Sequence, residues 1–160
     1  MISPRHAIGL AMSILLCFGA AWVGSRLTAP SLSGWYTSLR KPAWTPPNWV
    51  FGPVWSALYL CMAIAAWLVW RKLELPGAKL ALFLFAFQLV LNVCWSGIFF
   101  TLHNPGAAFV EIVVLWLSIL ATALAFWPLS QAASWLMAPY LLWVAFAAML
   151  NYAIWRLNAF

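Results

Sequence analysis

Residues 79–102 read KLALFLFAFQLVLNVCWSGIFFTL, and only the first of these residues is charged. A helix needs about 20 mostly apolar residues to cross the hydrocarbon core of a bilayer, and this run is long enough. Four further runs share its length and composition. They are residues 7–27, 47–70, 105–127 and 134–157. The sequence therefore predicts five transmembrane helices.

The composition of the whole chain supports a membrane protein. Of its 160 residues, 67% are hydrophobic and 6% are charged, whereas a soluble domain carries about a quarter charged residues. In water such a chain would expose large apolar patches and aggregate. We therefore predict an all-α integral membrane protein, a five-transmembrane-helix bundle that forms one domain over residues 1–160.

The net charge of +6 does not indicate a nucleic-acid site. Each basic residue lies near an end of an apolar run, where cations anchor a helix against anionic head groups. One side of the membrane would hold Arg5, Arg71, Lys72 and Lys79, and the other Arg26, Arg40, Lys41 and Arg156. This four-to-four division leaves the orientation open. We expect a multi-pass protein of a bacterial membrane, inner or outer.

The first run, residues 7–27, resembles a secretory signal peptide in two respects: Arg5 precedes it, and Gly19 begins a small-residue stretch. A signal peptide has a shorter apolar region of about 7–15 residues, and this run also contains Trp22. We therefore expect a retained helix.

The residues that most often carry catalysis or bind metals are scarce. Cys17, Cys61 and Cys94 each lie inside an apolar run, which favours small buried side chains. His6 and His103 lie at helix ends without a second ligand at metal spacing, so no metal site is predicted. Conventional hydrolysis is not expected either, because no nucleophile–base or carboxylate pair is present.

The segment between the first two runs has an unusual composition. Residues 30–47 read PSLSGWYTSLRKPAWTPP, rich in Trp, Pro and Gly and too long for a tight helix hairpin. Its aromatic residues could anchor the protein at the membrane surface. Alternatively, the segment is a semi-rigid lid over a cavity, since compact loops of this size are often functional.

Polar residues recur at helical spacing inside two of the runs. Gln88, Asn92 and Ser96 follow one another four residues apart, and the last run repeats the spacing from Trp143 to Asn151. Two interpretations remain open and compatible. The amides join helices by hydrogen bonds, or they belong to a pocket with aromatic walls for a flat, mostly apolar ligand.

Glu111 is the only acidic residue inside a predicted span, about two turns into the fourth helix. We expect its carboxylate to face water near the head groups. Pairing with a basic residue and polarisation of a ligand are the alternatives.

Three sequence blocks resemble one known family. The first comprises Gly34-Trp35-Tyr36, Leu39, Lys41-Pro42, Trp44 and Pro46-Pro47, followed by Phe51, Trp55 and Tyr59. The second comprises Gln88-Leu89, Asn92, Trp95-Ser96 and Phe99-Phe100, and the third Pro139-Tyr140, Trp143, Phe146-Ala147, Leu150-Asn151 and Trp155-Arg156. In this order they resemble the translocator protein family, also called TspO/MBR, the tryptophan-rich sensory proteins or peripheral-type benzodiazepine receptors.

The resemblance implies a homodimeric receptor or carrier with a role in tetrapyrrole regulation or transport. Its ligands would be porphyrins and haem, sterols such as cholesterol, and synthetic benzodiazepine- or isoquinoline-type molecules. They would bind in a pocket closed by the first loop. No cofactor is required. The pocket would be lined by Tyr36, Trp44, Trp55, Asn92, Trp95, Trp143, Ala147 and Leu150. Tyr59 and Gln88, from the polar and aromatic rows, complete the predicted ligand-binding set.

Two further functions follow from the resemblance. One is light- and oxygen-dependent porphyrin degradation, in which Trp55 and Trp143 would take part. The other is sterol recognition, since Leu150, Tyr152 and Arg156 match a sterol-recognition consensus in form; the alternative is that the Tyr and Arg at this helix end are interfacial anchors. A small exporter or a structural membrane protein remains the alternative to ligand binding.

Overall fold

The structure is a computed structural model that describes residues 4–159. In that part of the chain every regular element is helical. Five helices are long and apolar enough to cross a membrane. They are α1 (Pro4–Leu32), α3 (Asn48–Trp70), α4 (Ala78–Ser96), which continues into a π-helical turn (Gly97–Thr101), α5 (Pro105–Phe126) and α6 (Gln131–Asn158). Short α2 (Trp35–Ser38) lies in the first loop. The predicted all-helical, five-span membrane fold is confirmed.

Local sequence signals mark where the helices begin. Asn104 caps α5 by accepting a hydrogen bond from the Ala107 backbone N–H at 3.0 Å, and Pro105 occupies the first position. Proline suits this position because its missing N–H would have no partner inside the helix. Ser130 caps α6 through the Ala133 N–H. Gly77, with φ +84°, provides the left-handed residue that turns the chain into α4.

Helix α1 is longer than the apolar pattern suggests. It continues past Leu27 through Pro30 to Leu32, so the first three residues of the expected loop are helical. A proline in the last turn removes only one backbone hydrogen bond. Ser31 connects this end of α1 to the π-helical turn, since its hydroxyl donates to the Phe100 carbonyl. We call residues 33–47 the lid, because they cross one end of the bundle.

The five spans pack as neighbours: α1 lies along α3 and α4, α5 lies between α4 and α6, and α6 closes against α3. Small residues at the crossings let the backbones approach. Ala63, Ala65 and Ala66 of α3 are buried, as expected for helix packing in membranes. Of the three cysteines, Cys17 is fully buried, whereas Cys94 lies on the outer surface of α4, so the expectation of burial is wrong for Cys94.

Gly9 sets the closest approach between α1 and α3. A Cβ built at Gly9 would lie 2.2 Å from Cδ1 of Trp70, and Trp67, one turn earlier, donates its indole N–H to the His6 carbonyl at 2.8 Å. The absence of a side chain at Gly9 therefore makes room for the indole ring of Trp70.

We expect Gly9→Ala to lower the melting temperature of the detergent-solubilised protein, because overpacking typically costs about 1–3 kcal/mol. Circular dichroism during heating measures the effect. Gly19→Ala is the matched control on the same helix, because a Cβ there meets nothing within 4 Å. Equal melting temperatures for the two variants would show that the Gly9–Trp70 contact does not constrain the packing.

Candidate functional site

A chain of hydrogen bonds crosses the middle of the bundle. The Tyr59 hydroxyl of α3 donates to Oδ1 of Asn92 at 2.6 Å, and Nδ2 of Asn92 donates to the Tyr140 hydroxyl oxygen of α6 at 2.9 Å. All three side chains are buried. Hydrogen bonds of this kind between membrane helices contribute about 0.6–2 kcal/mol each. The chain therefore joins α3, α4 and α6 at one depth.

A second polar link lies nearer the lid. Trp95 donates its indole N–H to Oδ1 of Asn151 at 3.0 Å, and Nδ2 of Asn151 donates to the Pro105 carbonyl at 2.7 Å. This link connects α4 and α6 to the first residue of α5. The side-chain amides of Asn92 and Asn151 therefore hydrogen-bond to neighbouring helices. This agrees with the interpretation that such amides join helices.

Two further polar side chains in the bundle lack such partners. Gln88 is 0% exposed, and neither atom of its amide is hydrogen-bonded within the described residues. Both carboxylate oxygens of Glu111 are likewise shielded and without a hydrogen-bond partner there. The expectation that the Glu111 carboxylate faces water is therefore wrong. Unmatched buried polar groups are costly in an apolar medium and mark positions of interest.

An apolar cavity of about 40 Å³ lies between the lid and the bundle. Its walls are mostly aromatic. They are formed by Tyr36, Phe51, Trp95, Phe99, Phe100, Ala147, Leu150, Asn151 and Ile154. We call this space the lid cavity. Lid, α3, α4 with its π turn, and α6 each contribute at least one wall residue.

Four of the predicted ligand-binding residues line the lid cavity: Tyr36, Trp95, Ala147 and Leu150. Two more lie at the same end of the bundle, Trp143 next to the wall and Trp44 beyond it. Trp143 packs edge-on against the wall residue Phe51, with ring centroids 5.8 Å apart. Trp44 of the lid, half exposed, contacts Phe146 at 5.8 Å. The structure thus brings six of the ten residues to one end of the bundle.

The other four predicted residues lie deeper or beside the cavity. Tyr59 and Asn92 belong to the central hydrogen-bonded chain, and Trp55 packs between Tyr59 and Tyr140 at centroid distances of 5.6 and 6.1 Å. Gln88 lies one helical turn before Asn92 on α4. The ten residues therefore form two layers, an aromatic cavity under the lid and a polar layer beneath it.

Several wall residues were missing from the predicted set. Phe99 and Asn151 shared the predicted inward faces, so their spacing could have identified them. Phe100 is different, because the π-helical turn Gly97–Thr101 buries both Phe99 and Phe100. Single π turns occur frequently at functional sites, and a 3.6-residue period does not predict them.

The three residues of the sterol pattern do not share a face. Leu150 is 6% exposed and lines the lid cavity. Tyr152 is 46% exposed and packs outside the cavity against Phe109 and Trp155. Arg156, one turn further along α6, is also exposed. The structure separates Leu150 from the other two residues.

The lid is attached to the bundle at a few points. The side chain of Asn158, at the end of α6, accepts from the Arg40 backbone N–H at 3.0 Å and donates to the Arg40 carbonyl at 2.9 Å. Lys41 donates to the Tyr36 carbonyl and lies 4.4 Å from the centre of the Tyr36 ring. Burial of Tyr36 raises the pKa of its phenol, so the ring enters the cavity wall uncharged.

Comparison with known proteins gives consistent matches over most of the chain. The model of the TspO/MBR family matches residues 13–156. The tryptophan-rich protein TspO of Chlorobaculum tepidum is 43% identical over 96% of this chain and 98% of its own length. The translocator protein of Homo sapiens is 41% identical over 97% and 90%, and the protein CrtK of Rhodobacter capsulatus is 42% identical over 80% and 81%.

We expect Asn92→Leu to lower the melting temperature, because it leaves the hydroxyls of Tyr59 and Tyr140 without their partner. Gln88→Leu, one turn away on α4, removes an amide that has no described partner, so its melting temperature should stay the same or rise. Thermal unfolding in one detergent compares them. Equal destabilisation by Gln88→Leu and Asn92→Leu would contradict the absence of a hydrogen-bond partner for the Gln88 amide.

We expect Asn158→Leu to loosen the lid, because it removes both hydrogen bonds to the Arg40 backbone. One hydrogen bond is worth about 0.5–1.5 kcal/mol, so the protection of lid amides should fall at least about twofold. Hydrogen–deuterium exchange over residues 33–47 measures this loss. Asn48→Leu is the control, because Asn48 is exposed and its side chain makes no described hydrogen bond. Unchanged exchange in Asn158→Leu would mean that other contacts hold the lid.

Proposed function

The chain belongs to the TspO/MBR family, and from this membership and its interior geometry we propose that it is a membrane receptor or carrier for flat, largely apolar ligands, with porphyrins and haem as the first candidates. The lid cavity carries this proposal. It combines aromatic walls with a polar layer beneath. Only the lid covers it at that end of the bundle. Ligand sites have this composition, mostly apolar with a few placed polar groups.

The lid cavity has to enlarge to accept such a ligand. Its volume is about 40 Å³, whereas pockets for drug-sized ligands measure about 300–1,000 Å³. On this proposal the structure would be a closed form, and ligand entry would require the lid to move away from the bundle. The contacts that it would break include the Asn158–Arg40 pair, the stacking of Trp35 on His103, and the aromatic packing of Tyr36 and Trp44.

The polar layer explains how the same site can orient a ligand. Once the rings above it part, the Asn92 amide and the Trp95 indole N–H lie near the floor of the enlarged cavity. Asn151 already accepts the Trp95 N–H, so a ligand with an acceptor group would compete for that donor. A tetrapyrrole has a flat ring for the aromatic walls, and it also carries polar groups at its centre and edge that can bond to the polar layer.

The same site would also accept other flat or compact, mostly apolar ligands. Sterols and synthetic isoquinoline- or benzodiazepine-type molecules are flat or compact and mostly apolar. A sterol would contact Leu150 from within the cavity, while Tyr152 and Arg156 would serve a lipid-facing surface. Formation of a homodimer also stays a proposal.

We expect protoporphyrin to quench the tryptophan fluorescence of the purified protein saturably in darkness. Trp143→Ala should weaken binding about two- to tenfold, since aromatic pairs contribute about 0.5–1.5 kcal/mol beyond their burial. Trp135→Ala is the matched control on α6, because Trp135 is 66% exposed and remote from the lid cavity. Equal weakening by both variants, or equal quenching in protein-free micelles, would contradict the site.

Further measurements separate the alternative ligands and activities. Haem and a sterol are titrated in the same way, and Asn92→Ala tests the polar layer alongside Trp143→Ala. Illumination in air tests porphyrin degradation: loss of the Soret band beyond that of porphyrin in micelles, and its absence in Trp55→Phe, would favour an enzyme. Equal loss with and without protein would exclude that activity for protoporphyrin.

A further inference from the structure

Lys41 of the lid differs from the other basic residues of the chain. Of the eight lysine and arginine residues, all of which the structure describes, seven are exposed and only Lys41 is partly buried. Its ammonium donates a hydrogen bond to the Tyr36 carbonyl and lies 4.4 Å from the centre of the Tyr36 ring, which belongs to the wall of the lid cavity. Lys41 therefore folds back over the cavity wall, whereas an interfacial anchor extends toward the head groups.

The positive charge of Lys41 has no negative partner among the described residues. The sequence contains two acidic side chains, Glu74 and Glu111. Glu74 pairs with Arg5 at 2.6 Å, at the end of the bundle opposite the lid, and the carboxylate oxygens of Glu111 have no described hydrogen-bond partner. An ammonium has three donors, and the one described hydrogen bond of Lys41 uses one of them. A charge that is partly removed from water without a counter-charge favours an anion from outside the chain.

The deeper part of the site is unsuitable for such an anion. No lysine or arginine is buried in the described part of the bundle, and its shielded carboxyl group, that of Glu111, is acidic. A carboxylate placed at the depth of Asn92 would lose its hydration without gaining a cation, which is costly in an apolar medium. A flat ligand with a carboxylate at one edge would therefore keep that edge at the lid and direct its apolar body toward Trp95.

We propose that Lys41 makes the site selective for flat apolar ligands that carry a carboxylate at one edge, such as a tetrapyrrole with carboxylate side chains. Because Lys41 contacts a wall residue, a ligand edge that extends past Tyr36 reaches the ammonium and accepts a charge-assisted hydrogen bond. The nitrogen atoms at the centre of the ring are then left for the polar layer. This selectivity rests on the proposed function and adds the orientation of the ligand to it.

The experiment compares protoporphyrin, which carries carboxylates, with its uncharged dimethyl ester by saturable tryptophan quenching in darkness and in one detergent. We expect Lys41→Met to weaken protoporphyrin binding about three- to tenfold, because it removes a charge-assisted hydrogen bond at a partly exposed site. The affinity for the ester should change by less than about twofold. Lys41→Arg should keep the preference for the acid, since a guanidinium also pairs with a carboxylate.

Two controls separate carboxylate recognition from other roles of Lys41. The ester controls for the lid, because a lid loosened by the lost Lys41–Tyr36 contact would change the binding of both ligands. Arg40→Met is the matched variant, because it removes the same charge from the adjacent exposed residue, whose described bonds to Asn158 use only its backbone. It should leave the ratio of acid to ester affinity unchanged.

Three results would overturn the selectivity: no effect of Lys41→Met, equal weakening of acid and ester by Lys41→Met, or an equal loss of protoporphyrin affinity in Arg40→Met. Equal responses of acid and ester are also what a lipid phosphate bound at Lys41 would produce. If both porphyrins bind saturably to the wild-type protein without the expected loss in Lys41→Met, the proposed function stands and the role of Lys41 is refuted. If neither porphyrin binds saturably, both proposals are refuted for porphyrins.

Discussion

Asn92 accepts a hydrogen bond from Tyr59 and donates one to Tyr140, and in lipid this pair of bonds decides how the bundle is arranged. No water is available in the hydrocarbon core, so a buried amide must find its partners on neighbouring helices. Satisfying Asn92 fixes the rotation of α4 relative to α3 and α6. Trp95, three residues further along α4, is thereby directed toward Asn151 and the lid cavity. The aromatic site thus depends on the polar layer beneath it.

The membrane spans could be predicted from sequence because length and apolarity alone determine them. The inward face of α4 followed from the spacing of Gln88, Asn92 and Ser96, since one face of a helix is fixed by its period. The hydrogen-bond partners could not be predicted in the same way. Tyr140 lies 48 residues from Asn92 and Asn158 lies 118 residues from Arg40, and helical spacing does not specify which helices are neighbours.

Gln88 and Asn92 show the limit of sequence reasoning at a single position. Both are amides on the same face of α4, one turn apart, and both are buried. Only Asn92 has described partners, because Tyr59 and Tyr140 project their hydroxyls to its depth. The described residues provide no hydrogen-bond partner for the Gln88 amide. Identical spacing therefore predicted identical roles, while the neighbouring helices gave the two residues different environments.

The lid and the bundle differ in how firmly they are held. The spans share long apolar interfaces and buried hydrogen bonds, whereas the lid is attached by the Asn158–Arg40 pair, the stacked ring of His103 and a small aromatic cluster around Tyr36. Regions with few buried contacts open at lower free energy than a packed core. The cavity of about 40 Å³ lies under this weakly attached segment. In the proposed function, a polar layer below and a weakly attached cover above would let the site admit a large flat ligand while the helices stay folded.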